Sequence, residues 1–284
     1  MNYLLYNSLS SSLKGEEKAK EKAEQLSNRF PDLKLVNLVD LDHDAFVFNL
    51  KSDDKVLLAG GDGSLNHFVN CIHGIDLPCP FYLVPNGTGN DFAKDNVERI
   101  DEDGLIRLNE LLHNLPCVEV NGKSYRFFNG TGLGIDGDTC NEANHQKEKG
   151  KKKISYVKIG LDLILKNYKT TTATVEVNGE TLTFNDVFMA SSMYGKFFGG
   201  GILIAKHQDR TKNKLTFFVA QARGKIKTLL ALNSVNNGKS DKIPKVIKYY
   251  ETEEVKVKFS IPHALQIDGE IIENVTEYRA YVVK

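Results

Sequence analysis

The sequence predicts an α/β half joined to a β half. A doubly wound, mainly parallel sheet comes first, then an antiparallel β-sandwich or flattened barrel. Three observations carry this. Up to about residue 116, apolar runs alternate with helix-period stretches, the pattern of a parallel sheet with helices on its faces. Two of these runs end in glycine turns, Gly60-Gly61-Asp62-Gly63-Ser64-Leu65-Asn66 and Pro85-Asn86-Gly87-Thr88-Gly89-Asn90-Asp91. Beyond about 116, strand-like runs follow one another with one helical stretch among them.

Taken in order, residues 2–6 read as a short buried strand, followed by a polar loop from Asn7 through Ser12. Ala19, Ala23, Leu26 and Phe30 recur at helical spacing, so a helix is expected from Gly15 to Phe30, stopped by Pro31-Asp32. Residues 33–39 alternate as a second strand, and Asp42 to Leu50 reads as a helix. Val56 to Ala59 and Phe81 to Val84 are the strands that lead into the two glycine turns. In the second half, strands are expected at 117–120, 125–129, 173–177, 181–190, 201–205, 214–220, 254–259, 263–267 and 278–283. The helix among them should present Ile154, Val157, Leu161, Ile164, Leu165 and Tyr168 on one face. The expected division is 1–119 and 120–284, with the last strand free to return to the first domain. No long Pro/Ser linker separates the halves, so they are expected to pack with a cleft between them.

The 284 residues contain 41% apolar side chains, enough for a substantial core, and equal counts of 37 basic and 37 acidic residues. That balance gives no global reason to expect a nucleic-acid partner. The four cysteines form no CxxC pair and read as free thiols in a reducing cytoplasm. No apolar stretch approaches the roughly 20 residues of a spanning helix, and the opening residues lack a secretory leader. The expected location is therefore cytoplasmic, with the inner face of the membrane as a peripheral site.

A strand turning through glycines into a helix start holds phosphate well. The backbone can approach closely, and the N–H groups of the helix start favour negative charge. Asp62 is the odd member, because a carboxylate beside phosphates is repulsive unless it holds a metal or moves a proton. In the second turn, Thr88 offers a hydroxyl, while Asn90 and Asp91 read equally as caps of the next helix.

Together the two turns, with Phe92-Ala93 after the second, resemble the diacylglycerol kinase catalytic domain family. That family includes bacterial lipid kinases and the sphingosine and ceramide kinases. Three later segments are also similar to it: Phe128-Asn129-Gly130-Thr131-Gly132-Leu133-Gly134-Ile135-Asp136, Phe198-Gly199-Gly200-Gly201, and Gln266-Ile267-Asp268-Gly269-Glu270. The resemblance implies a two-domain kinase with ATP and Mg²⁺, transferring the γ-phosphate to a lipid hydroxyl, with diacylglycerol the first expected acceptor. Sphingoid-base or NAD kinase-like activity and a non-catalytic nucleotide- or lipid-binding role are the alternatives. The implied nucleotide residues are Asn7, Gly60, Gly61, Asp62, Gly63, Ser64, Leu65, Asn66, Gly87, Thr88, Asn90 and Asp91. The implied catalytic residues, in rank order, are Glu270, Asp268 and Asp62, with Asp62 and Asp268 also the metal candidates.

On residues alone, Asp268-Gly269 is better explained by a hairpin turn, and the resemblance reverses that preference. In an extended chain, Asp268 and Glu270 would instead share a face and act together. The sequence departs from the family where the first strand runs into Asn7-Ser8-Leu9 without Pro or Gly. It also departs at Gln208-Asp209-Arg210-Thr211-Lys212-Asn213-Lys214, where two lysines oppose a cation and a structural metal is expected to be absent or weak. The basic run from Lys147 to Lys153 reads either as a solvated loop or as a contact for anionic lipid. The aromatics of Met193-Tyr194-Gly195-Lys196-Phe197-Phe198 read either as core or as an acyl-chain lining. Partners are thus a lipid substrate at a membrane surface; monomer and oligomer are both compatible.

Overall fold

A computed structural model describes residues 1–9, 14–87, 89–151, 154–166 and 168–283, without the side chain of Asp241. The chain divides into two compact units, Met1–Leu115 and Pro116–Lys284. The division falls before the strand Cys117–Val120, so the expected boundary at 119/120 lies a few residues late.

The first unit is built on a five-stranded sheet of order β2-β1-β3-β4-β5, with β1 Asn2–Tyr6, β2 Lys34–Asn37, β3 Lys55–Gly60, β4 Phe81–Pro85 and β5 Ile106–Arg107. All pairs are parallel except β4/β5. Val56, Leu57 and Leu58 of β3 are wholly buried, as a central parallel strand covered on both faces requires. The helices are α1 Gly15–Gln25, α2 His43–Asn49, α3 Asp62–Cys71 and α4 Asp91–Asp95. Helix α1 stops five residues before Phe30, yet Leu26 and Phe30 remain buried against the sheet. Apolar spacing therefore located the burial but overran the helix. Asp42 caps α2 through the Ala45 N–H at 3.0 Å.

The second unit is a nine-stranded antiparallel sheet. Its strands are β6 Cys117–Val120, β7 Lys123–Arg126, β8 Gly130–Gly134, β9 Thr171–Val177, β10 Glu180–Met193, β13 Leu215–Gln221, β14 Ile247–Thr252, β15 Glu254–Ile267 and β16 Glu270–Tyr281. A separate small pair is β11 Phe197–Phe198 with β12 Ile202–Leu203. Long strands β10 and β15 each break register midway. Their first halves flank β9 and their second halves flank β8. The last strand, β16, pairs with β15 and β6, so it stays in this unit rather than returning to the first.

Among the described residues, three α-helices rather than one belong to this unit: α5 Ile135–Glu148, α6 Tyr156–Leu165 and α7 Lys225–Asn236. The run of α5 is mostly polar, and α7 carries apolar residues on its exposed side as well as its buried one, so neither shows a clean stripe. In α6, Ile159, Gly160 and Ile164 are buried, whereas Val157 and Leu165 of the expected face are exposed. Ile135 and Ile164 join Phe188, Met189, Phe218 and Val235 in one apolar core. Among the described residues, no helix is long and apolar enough to cross a membrane.

Candidate active site

In the first unit the two glycine turns touch. They follow neighbouring strands β3 and β4, and the Asn86 N–H donates to the Gly60 carbonyl at 2.9 Å. A Cβ on Gly61 would lie 2.8 Å from Gly87 Cα, and one on Gly87 only 2.5 Å from Gly61 Cα. Any side chain at either position would push the turns apart. Helix α3 then starts at Asp62 with no side-chain cap on Gly61, leaving its first turn suited to an anion.

Asp62 does something the sequence did not suggest. Its Oδ2 accepts the Asp91 N–H at 2.9 Å and its Oδ1 accepts the Phe92 N–H at 3.0 Å. The carboxylate thus caps α4 from the other turn. Asn90, in left-handed conformation at φ 51°, accepts the Gly87 N–H through Oδ1 at 3.0 Å, and Asp91 lies inside the first helical turn. Ser64 and Asn66 are buried beside the turn, and Gly63 is exposed. Leu65 is wholly buried, so it serves the core and offers the site only backbone. Asn7 directly follows β1 and accepts the Leu9 N–H at 2.9 Å, closing a local turn. Thr88 lies outside the described residues.

In the second unit, Asp268 and Gly269 form a two-residue hairpin turn with φ 47° and 95°. The extended arrangement that would put Asp268 and Glu270 on one face does not occur. Asp268 Oδ2 accepts the Phe128 N–H at 2.8 Å, and Oδ1 accepts those of Asn129 and Gly130 at 2.9 Å each. Three successive backbone donors therefore surround one carboxylate. Glu270 opens β16 with its side chain exposed. Among the sequence-predicted residues, the structure groups those of 60–66 with 87, 90 and 91, and joins 268 to the 128–130 turn.

The residue that sequence reasoning missed is Asp136, at the start of α5. It is buried, and burial raises its carboxyl to about 6 against the hydrogen bonds of Gln266 and Ser191. Gln266 Nε2 donates to its Oδ2 at 2.9 Å. A Cβ on Gly132 would meet that same oxygen at 2.1 Å, which accounts for the glycine. Asp136 borders an apolar pocket lined by Ile135, Tyr156, Val157, Met189, Phe198 and Ile202 among others. Its volume is about 50 Å³, so a whole acyl chain enters only if the lining moves. Phe198 is thus pocket lining, while Met193 and Tyr194 are core. The signal available in sequence was an acid inside an otherwise glycine-rich, apolar segment.

The neighbouring Asp138 accepts from Tyr168 Oη at 2.9 Å and from the Ala264 N–H at 2.9 Å, and lies 2.7 Å from His263 Nδ1. This knot sits where β10 and β15 pass from β9 to β8. In the loop after the glycine triplet, Asp209 Oδ1 accepts from the Thr211 N–H and hydroxyl at 3.0 and 2.6 Å. Lys212 and Lys214 pair with Glu251. A groove of about 750 Å³ lies elsewhere, among Phe184, Arg223, Lys227, Leu230 and Lys248. Of the basic run, Lys152 and Lys153 lie outside the described residues.

Residues 2–113 match the model of the diacylglycerol kinase catalytic domain, and residues 131–281 that of the YegS C-terminal NAD kinase beta sandwich-like domain. The chain is 25% identical over 233 residues to a candidate lipid kinase of Staphylococcus carnosus, covering 78% of this chain and 72% of that protein. It is 22% identical over 194 residues to a diacylglycerol kinase of Mycobacterium tuberculosis, covering 66% of this chain and 62% of that one. The crystal structure of a diacylglycerol kinase from Bacillus anthracis superposes with a TM-score of 0.68 at 17% identity, over 100% of this chain and 94% of that one. At that identity the superposition establishes the fold.

Proposed function

The chain belongs to the diacylglycerol kinase family, and from that premise we propose that it phosphorylates a lipid hydroxyl with ATP, diacylglycerol being the first acceptor and phosphatidic acid the product. The observation that carries this is the contact of the two glycine turns at the start of α3, where no side chain fits and the uncapped first turn suits a phosphate. The lipid half of the proposal rests on the apolar pocket of the second unit, with buried Asp136 at its edge. Ile226 and Leu230 of α7 are exposed beside Arg223, Lys225 and Lys227, a mixed apolar and cationic face suited to an anionic membrane surface.

In the reaction, the lipid hydroxyl oxygen bonds to the γ-phosphorus, the bond to the β,γ-bridging oxygen breaks, and ADP leaves. Exposed Glu270 accepts the hydroxyl proton. Mg²⁺ bound with the nucleotide would neutralise the phosphate charge. Asp268 does not fit as its ligand, because three N–H groups take most of the roughly four acceptor sites of a carboxylate. Asp62, in the first turn of α3, is the better placed of the two.

The test is transfer from γ-labelled ATP to a short-chain diacylglycerol, to sphingosine and to NAD, each in separate reactions. Label in phosphatidic acid is the expected result. Label only in NAD or in the sphingoid base would replace the acceptor. ATP binding without transfer to any acceptor would make the chain a binding protein.

A further inference from the structure

We propose that His43, His67 and Cys71 form a site for a borderline-soft divalent cation of the Zn²⁺ class, clamping α2 to the last turn of α3. One ligand atom from each of the three lies within 4.8 Å of the others. His67 and Cys71 are four residues apart on α3 and so share a face. Cys71 Sγ lies 3.6 Å from His67 Nε2 and 3.9 Å from Nδ1. Ligands at Zn–S and Zn–N bond lengths, set at a tetrahedral angle, stand about 3.5 Å apart, so this pair is already close to bonding separation. His43 is the first residue of α2, and its ring meets that of His67 edge-on at a centroid distance of 5.5 Å.

Two features argue for a ligand rather than for a packed trio of polar side chains. His43 Nε2 is buried with no hydrogen-bond partner, an unpaired site that packing alone does not explain. The ring also hydrogen-bonds the Leu41 backbone, the arrangement that orients a metal-bound imidazole. Two imidazoles and a thiolate leave a fourth position for water. The donor set selects Zn²⁺ and Co²⁺ over Mg²⁺. The site lies at the opposite end of α3 from the phosphate turn and does not depend on the kinase proposal.

The test is titration of the chelator-stripped full chain with Co²⁺ at neutral pH. Thiolate-to-cobalt charge transfer in the near ultraviolet and tetrahedral d–d bands in the visible are expected. Zn²⁺ should abolish both, and Mg²⁺ neither. Cys71→Ser should remove the charge-transfer band, and His43→Gln or His67→Gln should each weaken binding about 100-fold. Zn²⁺ should raise the melting temperature of wild type and not of Cys71→Ser, and should protect one thiol from alkylation. His67 is exposed, so His67→Gln is the variant that keeps the fold. No charge-transfer band in wild type, or a band that persists in Cys71→Ser, overturns the proposal. Equal affinity in wild type and in the two histidine variants does the same.

Discussion

The Asp62 turn and the Asp268 turn occupy different units and different kinds of sheet, yet their carboxylates do the same work. Each sits just past a strand and accepts successive backbone N–H groups from a segment distant in sequence. Asp62 takes two, from the start of α4. Asp268 takes three, from the chain entering β8. The difference lies in the host. Asp62 is helical and needs glycines around it, whereas Asp268 is itself in the left-handed region at φ 47°, which Asp tolerates better than most side chains. An acid in a glycine turn invites a catalytic reading. Both of these first hold a turn in shape, and the phosphate-type turn gains its geometry from one of them.

Five variants at four residues probe that comparison, the residues taken from the largest expected change in unfolding free energy to the smallest. Asp268→Ala leaves three donors without a charged acceptor; at about 1.5 kcal/mol each, urea unfolding should show a loss of about 4.5 kcal/mol. Asp268→Asn should recover roughly half of that. Losses under about 1 kcal/mol for both variants would end the idea of a brace.

Asp136 is the contrasting acid, buried rather than surrounded by donors. Its folded pKa of about 6 lies above that of an unfolded carboxyl, so its contribution to stability is full below about pH 4 and is lost as pH rises through about 6. The two-unit shift corresponds to about 3 kcal/mol. Asp136→Asn should therefore gain over wild type at pH 8 and not at pH 3, as read by unfolding at both values. An equal difference at the two pH values would refute it.

Asp62→Asn should cost about 1.5 kcal/mol, as loss of a helix cap does, and should raise KM for ATP. An unchanged KM would separate the brace from the nucleotide site. Glu270→Gln should change stability by less than about 0.5 kcal/mol while lowering transfer about 100-fold or more. If its turnover matches wild type, the proton acceptor is another group.

The sequence by itself determined the strand-helix alternation of the first unit, the position of both glycine turns and the strand-rich character of the second. These follow from local periodicity and backbone freedom, which neighbouring residues set between them. Helices α5 and α7 were not legible, because one is polar and the other apolar on both sides, and only the sheet beneath them selects the buried face. The shared-face reading of Asp268 and Glu270 failed for a related reason. Whether Asp-Gly continues a strand or reverses it depends on β15 meeting β16. Only tertiary structure decided that Asp62 caps a helix 29 residues away, that Asp136 is buried, and that His43 meets His67 and Cys71. Those facts depend on which segments the fold brings together.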